Sequence, residues 1–289
     1  MTSGVLATAL LLLAGCVGGL QTNRVPVNIG FKPVIGHDTR AEESVPFPED
    51  RTFRVWALNE DDGEVYLDNE EIAHSEGWLA SKVWPQTSLT FDACWPVDLD
   101  VDYDKDNGLS ISDFNCSKGD VDILFAKTEN ETYEVDSLIN LRFDHILSRV
   151  EFRMLQSLPA EMSVEVTGIE LNGFALTGDY NTAGDYTWKT KDATSSYTVF
   201  DGVDNPVRIS SDPIYIGEDF YAIPQHCQAA VKVYFDVKYG DAEWIPQEAV
   251  IENIDTQWKP STHYTYTLTL TDEKMLYTTG ISNWNNRDE

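Results

Sequence analysis

The densest run of groups able to do chemistry is 98–113, Asp-Leu-Asp-Val-Asp-Tyr-Asp-Lys-Asp-Asn-Gly-Leu-Ser-Ile-Ser-Asp. Counted from Asp102, carboxylates fall at positions 1, 3 and 5, Leu109 at 8, Ser110 at 9 and Asp113 at 12. That is the oxygen spacing of a helix-loop-helix calcium loop. Gly108 stands at position 7 instead of 6, however, and the flanking residues alternate as strands do. Two readings stay open: calcium held by Asp102, Asp104, Asp106 and Asp113, or an acidic turn between strands. No other cofactor is expected.

The remaining reactive side chains do not assemble into a catalytic pattern. His145 and Ser148 stand between two alternating segments without the nucleophile motif or partner carboxylate that covalent catalysis needs, so a locally bonded turn is the expected reading. His37, His74, His145, His226 and His263 lack metal-ligand spacing, and neither a phosphate-binding glycine loop nor a serine-hydrolase elbow occurs. A non-enzyme is expected. Trp78, Trp84, Trp188 and Trp244 lie near loops, where they either stack on sugar or fill a core.

The chain carries 49 acidic and 20 basic residues, a formal charge of −29, which argues against nucleic acid and against direct adhesion to anionic lipid. Its 289 residues allow one large or two ordinary domains. The N-terminus explains where such a surface belongs. A short run of small and apolar residues over 5–14 ends in Leu13-Ala14-Gly15-Cys16, too short to span a bilayer and shaped like a lipoprotein signal peptide of residues 1–15. Cys16 is then the acylated residue, and anchorage to membrane depends on lipid alone. Removing Cys16 from the count leaves Cys94, Cys116 and Cys227, an odd number; Cys94 and Cys116 are either a pair or buried thiols.

The body reads as strands throughout. Val25, Val27, Ile29 and Phe31 alternate, as do Leu141 and Phe143, then Val150, Phe152 and Met154, then Val231, Val233, Phe235 and Val237, and last Tyr264, Tyr266, Leu268 and Leu270. Turn residues separate further short apolar runs at 51–58, 64–67, 89–95, 109–114, 123–126, 164–171, 185–189, 197–200, 220–223 and 249–251. Pro159 marks a boundary near 155–162. The expectation is all-β, with one sandwich over 41–157 and another over 158–289.

In order along the chain, Cys16, then Thr39-Arg40-Ala41, Phe53-Arg54-Val55-Trp56-Ala57, Leu89-Thr90-Phe91-Asp92-Ala93, Asp122-Ile123-Leu124-Phe125-Ala126 and Leu141-Arg142-Phe143-Asp144-His145 resemble the fimbrillin-like family of Bacteroidales surface lipoproteins, subunits of type V pili. Ile223-Pro224-Gln225, Trp258-Lys259-Pro260 and the tyrosine- and threonine-rich run 264–270 are similar to that family's C-terminal half.

The resemblance implies two tandem transthyretin-like β-sandwiches in a fimbrial subunit or tip adhesin, anchored in the outer membrane by lipid and then displayed in a fimbrium. Its partners would be other fimbrial subunits and a host or bacterial surface protein or glycan. Cleavage after Arg40 by an arginine-specific protease would free residues 16–40 with the first strand, and a strand from another subunit would fill the groove. The donor would be the C-terminal segment 275–284, anchored by Leu276, Ile281 and Trp284 with a bulge near Gly280. Asp136-Ser137-Leu138 is similar to a short O-glycosylation motif, which marks Ser137. A lipid-anchored glycan-binding protein that never polymerises is the alternative.

Overall fold

The computed structural model describes residues 26–36, 44–183, 187–191 and 195–284, and the alternating runs picked out above fall in its strands, except that Val27 precedes the first strand and Val25 lies outside the described residues. Strands β1 to β11 are Asn28–Ile35, Val45–Pro46, Thr52–Asn59, Val65–Ala73, Trp78–Val83, Leu89–Trp95, Asp102–Asp104, Gly108–Asn115, Leu124–Glu131, Ile139–His145 and Ser148–Ser157. Strands β12 to β22 are Met162–Phe174, Thr177–Asn181, Thr187–Thr190, Ser195–Asp201, Val207–Ile209, Ile214–Tyr215, Phe220–Ala222, His226–Tyr239, Ile245–Gln257, Thr262–Thr271 and Met275–Asn283. No helix occurs among the described residues. The chain is all-β, and its sheets stack as sandwiches.

The first sheet runs β2-β1-β10-β9-β6-β3-β4, with β5 also paired to β1. It wraps round one apolar cluster because alternate residues of its strands point the same way: Ile29 and Phe31 of β1, Phe53 and Val55 of β3, Leu89 and Phe91 of β6. Edge-to-face rings fill the middle, Phe31 standing 6.0 Å from Phe53 and 5.6 Å from Phe91. Where β4 and β5 lie side by side, side chains bridge them: the Tyr66 hydroxyl donates to the Val83 carbonyl at 2.6 Å and Lys82 Nζ to the Tyr66 carbonyl at 2.5 Å.

The second half stacks sheet β17-β11-β21-β22 on sheet β15-β12-β19-β20. Val150, Phe152 and Met154 on β11 and Leu268 on β21 meet Val164 and Val166 on β12 and Val231 and Val233 on β19 in one core. A small sheet, β14-β13-β8-β7, covers part of the first sheet's other face, and its Leu109 and Ile111 join this second core.

The boundary expected at 155–162 does not coincide with the change of sheet. Strand β11 pairs in parallel with β21 from Ser148↔Thr262 to Ser157↔Thr271, so the chain passes to the second sandwich between β10 and β11, at Ile146 and Leu147. Strand β8 likewise pairs with β13 across the expected division. Alternation tells which residues a strand buries and is silent on which distant strand it joins. Cys94, Cys116 and Cys227 are all free thiols, and burial pushes each up to about 11.

Candidate functional site

The first strand occupies Asn28–Ile35, where the alternation had placed it at 25–31. Val27 is exposed at 43%, while Ile29 and Phe31 are buried on the core side. The other face of β1 is covered at Gly30 and Val34 and open at Asn28 and Lys32. Leu138 and Leu79 lie over Gly30, where a Cβ would stand 2.7 Å from Leu138 Cδ2. Strand β1 is parallel to β10 along one edge, from Phe31↔Ile139 to Ile35↔Phe143, and antiparallel to β2 and β5 along the other. It is an interior strand, and removing it would leave a slot one strand wide over an aromatic floor. Arg40 and Cys16 lie outside the described residues.

The C-terminal segment is strand β22, an edge strand bonded along one side to β21 from Thr262↔Asn283 to Leu270↔Met275. Its register is continuous, without the bulge expected near Gly280. Leu276 and Ile281, five residues apart, therefore point to opposite faces. The residues sharing Ile281's face are Met275, Tyr277, Thr279 and Asn283. Sequence reasoning missed Tyr277, although its even spacing from Ile281 is the signal. Leu276, Tyr277 and Ile281 are exposed at 43%, 39% and 69%, so most of β22 is held by backbone pairing. Trp284 is the exception. It is buried, stacked on His145 at 4.2 Å and on Tyr221 at 5.3 Å between ring centroids.

His145 is fixed from the other side by Asp122, whose carboxylate oxygens lie 3.0 and 3.1 Å from its Nδ1. The fully buried Ser148 donates to the Lys259 carbonyl at 2.7 Å. The two residues thus hold the passage between the sandwiches. Nearby on the outer face of β11, His263 and Glu151 are 3.1 Å apart. Burial acts to raise the Glu151 carboxyl, but hydrogen bonds from His263 and Thr265 outweigh it and hold the group below its usual range.

The acidic run forms the β7–β8 hairpin. Asp104 Oδ1 accepts from Asp106 N at 3.0 Å, Asn107 N at 2.9 Å and Asn107 Nδ2 at 2.8 Å, which fixes the turn before Gly108 at φ +72°. Asp113 lies at the far end of β8, 2.5 Å from Lys191 Nζ, which also lies 2.6 Å from Asp179. These bonds raise Lys191 and lower Asp179. The four expected calcium ligands are not brought together, and no cluster of three metal-ligating side chains exists among the described residues. Ser137 is exposed in the turn before β10. Trp78 packs into the first core, and Trp188 donates to the Ile146 carbonyl at 2.7 Å.

Against known proteins, the sequence profile of the fimbrillin-like family matches residues 39–284. No protein of curated function matches. The fold is similar to that of a candidate cell adhesion protein from Bacteroides ovatus, with TM-score 0.61 and 15% identity over 92% of this chain and 100% of that one. It is similar to a fimbrial protein from Bacteroides vulgatus, with TM-score 0.58 and 14% identity over 89% and 100%. A candidate cell adhesion protein from Parabacteroides distasonis gives 0.55 and 11% over 90% and 99%. At these identities the likeness is one of fold, whereas the profile match takes in most of the chain: the protein belongs to the fimbrillin-like family.

Proposed function

We propose that this protein is a structural, non-enzymatic fimbrial subunit or tip adhesin, tethered to the outer membrane through acylated Cys16 and assembled by strand exchange after cleavage at Arg40. The observation that carries the reading is the contrast between β1 and β22. Strand β1 sits between β10 on one side and β2 and β5 on the other, with Ile29 and Phe31 in the core, so its loss would open a long apolar slot with unpaired backbone on both sides. Strand β22 buries little of itself before Trp284 and gives up one ladder and the Trp284 stack when it leaves. Ile281 with Tyr277 and Met275 would anchor one face of the donated strand, Leu276 would meet the other, and Trp284 would close it. The partners are other copies or other fimbrial subunits.

Protein with Arg40→Ala and wild type, both treated with an arginine-specific protease, separate the possibilities. Wild type should form heat-resistant ladders while Arg40→Ala stays monomeric, and truncation after Thr271 should stop the ladder without stopping the cut. Equal ladders from uncut Arg40→Ala protein would overturn the mechanism.

A further inference from the structure

The first sheet turns its polar face toward β8 and β13, and two cavities of about 700 and 500 Å³ lie between them. Both have Asp92, Lys127 and Thr182 in their walls, which makes them two chambers of one cleft. Each is of a size that takes small ligands, about 300–1,000 Å³. Asp92 is only 4% exposed, and its Oδ1 has no hydrogen-bond partner. A desolvated carboxylate oxygen without a donor is unfavourable for the fold by itself, and inside a cleft such a group is a candidate to meet a ligand.

We propose that this cleft binds a short, uncharged oligosaccharide, with a sugar hydroxyl donating to Asp92. The walls choose the class. Acids outnumber bases over the two chambers, with Glu131, Asp144, Glu60 and Glu129 among them, which disfavours an anionic ligand, while Lys127 and Arg142 disfavour a cationic one in the larger chamber. A hydroxyl both donates and accepts, so an uncharged polyol can use both kinds of group at once. Phe125 and Tyr180, packed edge-to-face 5.2 Å apart and almost fully buried, give the larger chamber an apolar floor beside its polar walls. A peptide strand is less suited, because β6, which carries Asp92, is already paired along both edges with β3 and β9. Burial pushes the Asp92 carboxyl up to about 6, against Lys127, which lowers it, and with Glu129, which raises it. The group is thus a charged acceptor at neutral pH and a neutral, weaker one in mild acid. The inference does not depend on strand exchange, since an uncleaved monomer should bind.

The test uses the full chain and saturation-transfer NMR with mannotetraose, xylotetraose, cellotetraose and chitotetraose. Spermidine, tetragalacturonate and a peptide of residues 275–284 stand for the other ligand classes. At least one neutral tetrasaccharide should bind, and Asp92→Asn should weaken it about 10-fold or more while leaving the melting temperature equal or higher. A merely structural Asp92 would instead lower the melting temperature. If Asp92→Asn does not fold, Asn140→Ala, on the wall of the larger chamber, replaces it with the same expectation of weakened binding. Absence of binding by all four tetrasaccharides, unchanged affinity in the variant, or binding only of a charged probe or the peptide would overturn the proposal.

Discussion

The ring of Trp284 lies nearly parallel to that of His145, 18° between planes, while Asp122 holds the Nδ1 edge of the imidazole. The last described residue is thereby tied to the end of β10, on the first sheet. Little else restrains β22 besides its ladder, so this stack is its main side-chain fastening. Trp284→Ala removes a buried aromatic whose loss is expected to cost about 3 kcal/mol. The amides of β22 should then exchange with deuterium faster, while those of β19 and β12 keep their protection. Uniformly faster exchange would mean that Trp284 supports the whole fold and not the strand.

Phe31 touches Phe53 and Phe91 and is 1% exposed. Phe31→Ala should lower stability by about 3–5 kcal/mol, measured as a shift in the urea midpoint of uncleaved protein. A loss under 1 kcal/mol would show that β1 is not integral to the first core.

Asp92 gives a pH signature with a definite sign. In the unfolded chain its carboxyl ionises near 3.8, and in the fold near 6, so the folded state holds the extra proton between those values. Its contribution therefore makes stability fall as pH rises from about 4 to 6, by roughly 3 kcal/mol in all, and stay level above. Asp92→Asn should remove that slope, so the difference in unfolding free energy between variant and wild type grows over this window. Parallel pH profiles would contradict the desolvated state of the carboxyl.

Calcium at millimolar concentration should leave the melting temperature unchanged, because Asp104 is engaged in the turn and Asp113 with Lys191. A rise that Asp104→Ala abolishes would show that the hairpin rearranges round the ion.

Much of the strand content was legible, because period-two burial leaves its mark wherever one face is dry. Strand β6 falls on residues 89–95 as expected, and β19 and β21 extend their alternating runs by a few residues. What stayed hidden was pairing. Nothing local in Val150, Phe152 and Met154 says that they lie parallel to Tyr264, Tyr266 and Leu268, more than a hundred residues away. Strand β5 escaped notice because only Trp78 and Ala80 face the core and the rest is polar or exposed. Asp92 was visible as one acid inside an apolar run, Phe91-Asp92-Ala93, yet its significance depends on β8 and β13 closing over it. The calcium-like spacing suits the acidic turn equally well, because Asx turns use the same side chains, at similarly short intervals, to bond their own backbone.

Strand β1 belongs to the first sheet and β22 to the second. A strand given by the second sheet of one copy and taken by the first sheet of the next joins unlike surfaces. Such heterologous contact has no two-fold axis to terminate it, so each addition presents a fresh donor at one end and a fresh acceptor at the other. Growth by the proposed exchange would be polar, and open-ended where the rotation between copies does not close a ring, and a copy that lacks β22 or keeps β1 would act as a chain terminator at a defined end.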